Sequence, residues 1–429
     1  VTTTETTVVR TAGTPVRTMW LAAWPVAAVF VLSNAATPLY VLWQNRIGFS
    51  KGMLTVVFAC YIAGLLGSLL VSGVVSDRWG RRPVLLPALA LALLACVIFA
   101  TAGSVAALLV ARLCTGVAVG AAVSAGMAAV TDVAGPQRKS QAALLASCAM
   151  VFGAGAGPLL SGIVSETLPA PTVTVFIVEA VLLLTAAVAV ARLPLGRPMS
   201  GDLGRPAPVG VGGPAPVATG AWIRVPRVPA GRGRELALGI AVFAPGITAT
   251  SFVLSLGPAL LSGLLGVTSR IPAGAMAFGM FLTATAVQFA VRRVRRSLIM
   301  IASAVATTAS TATLVAAVRT ETVAWLVVAA LLAGAGQGLG QLGGLSLLNA
   351  TVPADRLAEA NAALNIGGYL PAGLLPVVAG YLGDAAGIST ATTIFGAIVA
   401  VAAVLGGFAV WLTRAGVRRE PAAGGRDPR

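Results

Sequence analysis

The sequence predicts an all-α membrane protein with twelve transmembrane helices in two pseudo-symmetric six-helix bundles. Three observations predict it. First, the 429 residues are 57% hydrophobic and only 10% charged, with a mean hydropathy of +0.93. That leaves too few charged side chains to cover a soluble protein of this length. Second, apolar runs of about 20 residues, the length that crosses a hydrocarbon core, recur from end to end. Third, short motifs of the first half return at matching places in the second.

The spans fall at 19–43, 53–75, 83–102, 105–131, 139–163 and 172–192, then at 236–261, 271–291, 297–318, 322–350, 357–382 and 388–412. Lipid offers the backbone no hydrogen-bond partner, so each run must satisfy itself as a helix. Residues 1–18 read as a cytoplasmic tail, 19–193 as the first bundle, 194–234 as a cytoplasmic linker, 235–414 as the second bundle and 415–429 as a tail. The linker, with Gly204-Arg-Pro-Ala-Pro208 and Gly212-Gly-Pro-Ala-Pro216, has too little apolar area to order itself. The first span is too long for a cleavable signal peptide and is followed by eleven more.

The net charge of +16 is distributed by side. Arg78, Arg81, Arg82, Arg138, Lys139, Arg292, Arg293, Arg295, Arg296 and Arg356 fall in one set of alternate loops, with both tails and the linker. The other set holds only Arg46, Lys51, Arg270 and Arg319. By the positive-inside rule both termini are cytoplasmic. The basic excess sets topology and meets lipid headgroups; there is no base-reading module, and nucleic acid is not an expected partner. Lysine is limited to Lys51 and Lys139 among abundant Arg, Ala, Gly and Pro, a composition that points to a high-GC bacterium and its inner (plasma) membrane.

Metal and enzyme chemistry find little support. Cys60, Cys96, Cys114 and Cys148 lie inside apolar runs without metal-ligand spacing and read as small packing residues. There is no histidine, the commonest metal ligand and general base. A membrane enzyme needs clustered acids or a nucleophile with a base, and neither is present. No cofactor or metal is expected, and the chain is not expected to be an enzyme.

One loop carries the strongest signal. Between spans 2 and 3, Gly73-Val-Val-Ser-Asp77-Arg78-Trp-Gly80-Arg81-Arg82 sets an acid and two glycines at fixed spacing among three arginines. Cytoplasmic loops collect arginines, but that does not explain the acid and the glycines. The pattern resembles the loop signature between helices 2 and 3 of the major facilitator superfamily of transporters. The halves also echo one another: Asp132-Val-Ala-Gly-Pro136-Gln-Arg-Lys139 ends span 4 and Asn349-Ala-Thr-Val-Pro353-Ala-Asp-Arg356 ends span 10. The resemblance covers residues 19–412 and implies paired six-helix halves with a binding site between them.

The resemblance also implies roles. Gly73, Asp77, Arg78, Gly80, Arg81 and Arg82, with Asp132, form a conformational switch. Asp77 nears the start of span 11, around 357–361, where a carboxylate gains from the helix dipole, and Asp132 competes for the arginines. In span 5, Gly153, Gly157, Pro158 and Gly162 resemble the G-x-x-x-G-P-x-x-G-G signature of drug:proton antiporters, with Ser161 replacing one glycine. Small residues at such spacing also make a packing face, and proline bends the helix. Arg112, four residues before Gly116, matches the helix 4 element implicated in proton coupling. An arginine near the bilayer interior is costly and faces protein or water, unless it snorkels to the interface.

Glu179 is the only acid deep inside a span. Burial disfavours its charged form, which makes it a candidate proton carrier or a hydrogen-bond donor to a neighbouring helix. Many drug:proton antiporters carry an acid in helix 1, where this chain has Asn34, a departure that leaves Glu179 and Arg112 as the coupling candidates. By resemblance, helices 1, 4, 7 and 10 line the cavity, where Asn34, Thr37, Tyr40, Thr250, Gln337 and Gln341 are candidate substrate contacts. Ser33, Gln44, Thr248, Ser251 and Ser255 are further polar groups, beside Trp43, Phe243 and Phe252. Polar, uncharged groups in an apolar pocket suit amphiphilic small molecules, although hydroxyls also bond their own helix backbone. The expected function is export of a small organic compound in exchange for protons, by a monomer whose partners are substrate, protons and lipids. The alternatives are a sugar or metabolite exporter, a proton symporter, or a non-transporting scaffold or receptor on the same fold.

Overall fold

A computed structural model describes residues 16–193, 195, 231–263, 265–267, 269–353 and 356–417. The expected linker lies almost wholly outside them, as do most of both tails. The described residues form twelve helices long and apolar enough to cross a membrane. They are α1 (Val16–Gly48), α2 (Lys51–Trp79), α3 (Arg82–Ala100), α4 (Val105–Ala134), α5 (Lys139–Thr167) and α6 (Pro171–Arg192) in the first half. The second half has α7 (Gly233–Gly263), α8 (Ile271–Ala290), α9 (Arg296–Thr320), α10 (Val323–Thr351), α11 (Leu357–Ala386) and α12 (Ile388–Val417).

Each helix falls on its expected span, with α3, α8 and α10 short of it by one or two residues at one end, and most run a few residues further at one or both ends. The apolar run marks the thickness of lipid, whereas the hydrogen-bonded helix continues until a breaker ends it. For α2 that breaker is Gly80, whose φ of +95° only glycine adopts without strain. For α4 it is Gly135, with φ +73°, just ahead of Pro136. Two helices are irregular. α1 passes through a 3-10 turn at Thr37–Leu39, where Pro38 removes a backbone donor, and ends in a wide π turn at Gln44–Gly48. α4 has a π turn at Ala122–Gly126.

The halves repeat the same pairings six helices apart: α2 packs on α4 as α8 does on α10, and α3 on α6 as α9 does on α12. Close approach is made by glycine. A Cβ on Gly116 of α4 would collide with the carbonyl oxygen of Tyr61 on α2, and one on Gly64 of α2 with that of Leu113. In the second half, Gly334 and Gly338 of α10 lie equally close to the carbonyls of Met280 and Ala284 on α8. Small residues let backbones touch where lipid supplies no hydrophobic drive for helix association. The outer surface is apolar, with Phe152 62% and Val305 63% exposed, as lipid contact requires. The halves meet along α2 with α11 and α5 with α8.

Candidate central cavity and its seals

A cavity of about 820 Å³ lies between the halves. Phe30 of α1, Tyr61 of α2, Ala154 of α5, Gln337 of α10 and Tyr369 of α11 are among the residues that line its inner end. Its lining runs outward to Arg292, Val294 and Arg296 at the arginine-rich end. The opposite, arginine-poor end is sealed.

Two carboxylates make that seal. Glu166, at the end of α5, accepts the backbone N–H of Arg270 at 2.7 Å and pairs with its guanidinium at 2.9 Å. Arg270 is the N-cap residue of α8. Asp384, near the end of α11, accepts the backbone N–H groups of Lys51 and Gly52 at 3.0 and 2.8 Å. These open the first turn of α2. A carboxylate at a helix N-terminus satisfies free donors and complements the dipole. Beneath the caps the backbones touch: a Cβ on Gly274 would strike the carbonyl of Pro158, and one on Gly380 the side chain of Thr55.

The span 5 glycines divide between two neighbours. Gly153 and Gly157 press on the carbonyls of Ala27 and Val31 in α1, so a side chain at either would separate the helices. Gly162 faces Arg270 and Ile271 across the seal, beside Pro158 on the same helix. The stretch therefore sits where α5 meets both its own half and the other.

At the arginine-rich end, the Arg81 guanidinium lies between two acids. It pairs with Asp77 at 2.6 Å and Asp132 at 2.9 Å, and donates to the Ser76 hydroxyl at 2.9 Å. Burial would lower the Arg81 pKa, but the hydrogen bonds to Asp77 and Asp132, and their charges, outweigh it and raise it above its ordinary value. The turn at Gly80 lets Arg81 fold back one helical turn onto Asp77, and so ties α2, α3 and α4 together. Gly73 and Arg78 lie in the last turns of α2, and Arg82 opens α3.

Arg112 is fully buried. Its Nε donates to the Tyr40 hydroxyl, and a terminal nitrogen donates to the Ser33 carbonyl at 2.6 Å. The rings of Tyr40, Phe58, Tyr61 and Phe99 stand 5.0–5.9 Å from the guanidinium carbon. Aromatic faces and two oxygen acceptors hold the charge in place of a carboxylate. Glu179 is also fully buried, and neither of its oxygens has a hydrogen-bond partner. The two groups form no ion pair. Phe99, beside Arg112, stacks on Phe176 at 4.8 Å, and Phe176 is one helical turn before Glu179. Trp43 stacks on both rings.

The cavity wall differs from the sequence expectation. Gln337 and Gln341 line it; Asn34, Thr37, Tyr40 and Thr250 do not. Asn34 donates to the carbonyl of Ala154, Tyr40 serves Arg112, and Thr250 bonds the Gly246 and Ile247 carbonyls of its own helix. Thr37 is buried without a partner. All four are buried away from the cavity, where neighbouring helices, a side chain or their own backbone occupy three of them and Thr37 is left unpartnered. No residue of α7 lines the cavity; α5, α8 and α11 contribute instead. The sequence reading missed Gln288, Asn365 and Tyr369 on this wall. An amide inside an apolar span was the available signal.

The fold agrees with known proteins. The family model described as "Major Facilitator Superfamily" matches in two overlapping segments, residues 19–291 and 238–428. The chain belongs to the major facilitator superfamily. Membership makes it a membrane transporter rather than an enzyme. Among solved structures, it is similar to a bacterial homologue of the human lysosomal transporter Spinster in an inward-facing, unoccupied conformation. The TM-score is 0.71 at 14% identity, over 95% of this chain and 99% of that one. It is also similar to a mutant of the nucleoside transporter NupG, with a TM-score of 0.69 at 13% identity, over 92% and 99%. A local match links it to the multidrug resistance protein MdtL of Escherichia coli strains, 34% identical over 79 residues, 18% of this chain. The matched segment spans about a fifth of the length of those curated relatives.

Proposed function

We propose that this transporter exports small amphiphilic organic molecules in exchange for protons, by alternating access, with its arginine-rich end in the cytoplasm of a bacterial cell. The observation that carries the reading is the cavity, which reaches the arginine-rich end and is closed at the other by Glu166 and Asp384. That is the geometry of capture from the cytoplasmic side. The positions of Gly157, Pro158 and Gly162 in the helix that seals this state support an exporter, as does the local match to a multidrug resistance protein.

Glu179 carries the proton in this reading. Its carboxyl is buried with neither oxygen partnered, and this reading takes it as neutral in this state because an unpaired charge there is costly. Arg112 keeps to its aromatic cage meanwhile, and the two stay apart while the proton is bound. Asp77, Arg81 and Asp132 form the latch of the opposite gate in this reading, engaged here within the first half and expected to engage α11 when that end closes.

The test is transport of fluorescent amphiphiles in proteoliposomes under an imposed pH gradient, alongside a compound-sensitivity screen of cells with and without the protein. Export predicts proton movement coupled to probe movement, and greater sensitivity without the protein. Probe movement independent of the gradient would remove the antiport. Topology is read separately from Gly103→Cys and Val294→Cys, placed in a background with the four native cysteines replaced. They should label from the outside and the inside respectively, and labelling from one side would overturn the orientation.

A further inference from the structure

We propose, on the basis of the exporter reading above, that the transported amphiphile has an uncharged or anionic polar part. That part lies against the second half, and the apolar part lies against the first. Both walls carry apolar side chains, but the amides and arginines of the lining all come from the second half, while the first half adds only Tyr61, Ser147 and Cys148 as polar groups. From the first half come Leu65, Leu69, Val123, Met127, Met150 and Val151. From the second come all four amides of the lining, Gln288 on α8, Gln337 and Gln341 on α10, and Asn365 on α11. Gln337 and Gln341 are four residues apart, as are Asn365 and Tyr369, so each pair stands on one face of its helix.

Asn365 donates to the Asn361 carbonyl of its own helix at 3.0 Å and keeps its oxygen for a ligand, and the three glutamines are not used up inside the protein. Gln288 and Gln341 make no side-chain hydrogen bond among the described residues, and the Gln337 Oε1 is buried without a partner. A buried acceptor left unmade is costly, and most such groups in proteins are satisfied. A ligand that donates to Gln337 and exchanges hydrogen bonds with Gln341 removes that cost. An amide both donates and accepts, which suits hydroxyl, carbonyl or amide groups equally.

Charge narrows the class further. Arg292 and Arg296 stand at the mouth, and no Asp or Glu is among the lining residues. The Arg292 guanidinium lies 4.2 Å from the Phe289 ring centroid, which holds it against the wall. An organic cation entering this cavity meets like charge and finds no counter-ion, whereas a carboxylate or sulfonate is drawn in. A volume of about 820 Å³ accommodates a drug-sized molecule. The apolar wall takes the hydrophobic part, and methionine there adapts to varied shapes.

Equilibrium dialysis of the full-length protein in detergent, with three probes, tests the proposal. N-phenylnaphthylamine is uncharged, anilinonaphthalene sulfonate is anionic and ethidium is a cation. The first two should bind at least about tenfold tighter than ethidium, the size expected from one unmatched charge. Arg292→Gln with Arg296→Gln should weaken the sulfonate by about threefold to tenfold and leave the uncharged probe unchanged. Gln341→Leu with Asn365→Leu should weaken both naphthyl probes by about tenfold. Gln341→Glu puts a carboxylate in the cavity and should tighten ethidium by about tenfold, a gain that a merely unfolded variant cannot give. Ethidium binding as tight as the sulfonate, or naphthyl binding indifferent to the amide variants, would overturn the proposal. Binding in the expected order without probe counterflow in proteoliposomes would overturn the exporter reading and uphold the ligand class.

Discussion

Glu166 and Asp384 are counterparts across the pseudo-two-fold of the molecule, and each caps the first turn of a helix in the half to which it does not belong. Glu166 leaves α5 to hold the start of α8, and Asp384 leaves α11 to hold the start of α2. α11 lies six helices after α5, and α8 six after α2, so the seal repeats itself by the same rule as the fold.

The seal is predicted to set the balance between the two open states. A carboxylate cap at a partly exposed helix start contributes about 0.5–1 kcal/mol. Glu166→Gln with Asp384→Asn should therefore shift the population away from the state described here by up to about tenfold. Cys148 lines the cavity and reports on it. In a background lacking Cys60, Cys96 and Cys114, its labelling by a water-soluble thiol reagent should slow in the double variant. Unchanged labelling would mean that the caps do not govern the seal.

Asp77→Asn removes one of the two charges on Arg81. The acid is 37% exposed, so little stability is at stake. Transport should fall by about tenfold, the scale of one charge-assisted hydrogen bond in a gate, while the melting temperature stays within a few degrees. Wild-type transport rates in this variant would remove Asp77 from the switch.

Gly157→Ala and Gly103→Ala make a matched pair. The Cβ of the first would collide with the Val31 carbonyl, a backbone atom that cannot move aside, whereas the second meets nothing within 4 Å. Overpacking of this kind costs about 1–3 kcal/mol. Thermal unfolding in detergent should show Gly157→Ala several degrees less stable and Gly103→Ala unchanged. Equal melting points would mean that α1 and α5 have slack to separate.

Glu179→Gln fixes the neutral form of the side chain. In inverted vesicles it should abolish proton-driven accumulation and spare exchange of substrate without a gradient. Full accumulation by this variant would assign Glu179 a structural role and leave coupling to Arg112.

Much of this was legible in the amino acids because the bilayer is a simple solvent. Each apolar run has one stable solution, a helix, and a loop such as Asp77 to Arg82, with a glycine at the turn, has few ways to fold. The cavity wall was less legible, since a residue lines it only if its helix is rotated correctly and the halves are apart at its depth. Thr250 and Tyr40 are polar and central, but one bonds its own helix and the other holds Arg112. Gln288 and Asn365 looked incidental, yet they face the cavity. That Arg112 and Glu179 lie on either side of stacked Phe99 and Phe176 depends on contacts between α3, α4 and α6 that no periodicity encodes.

The glycines at α2–α4 and α8–α10 have a mechanical consequence. Where one main chain rests directly on another, no layer of side chains is left to shear or compress, so each half is stiff along these seams. The surfaces between the halves hold a cavity at one end and, at the other, two carboxylate caps above the short glycine contacts at Gly274 and Gly380. In the alternating-access reading proposed above, motion concentrates there, with each half turning as a solid lever. A substitution inside a lever changes whether the protein assembles, whereas one at a clasp changes how long each state lasts.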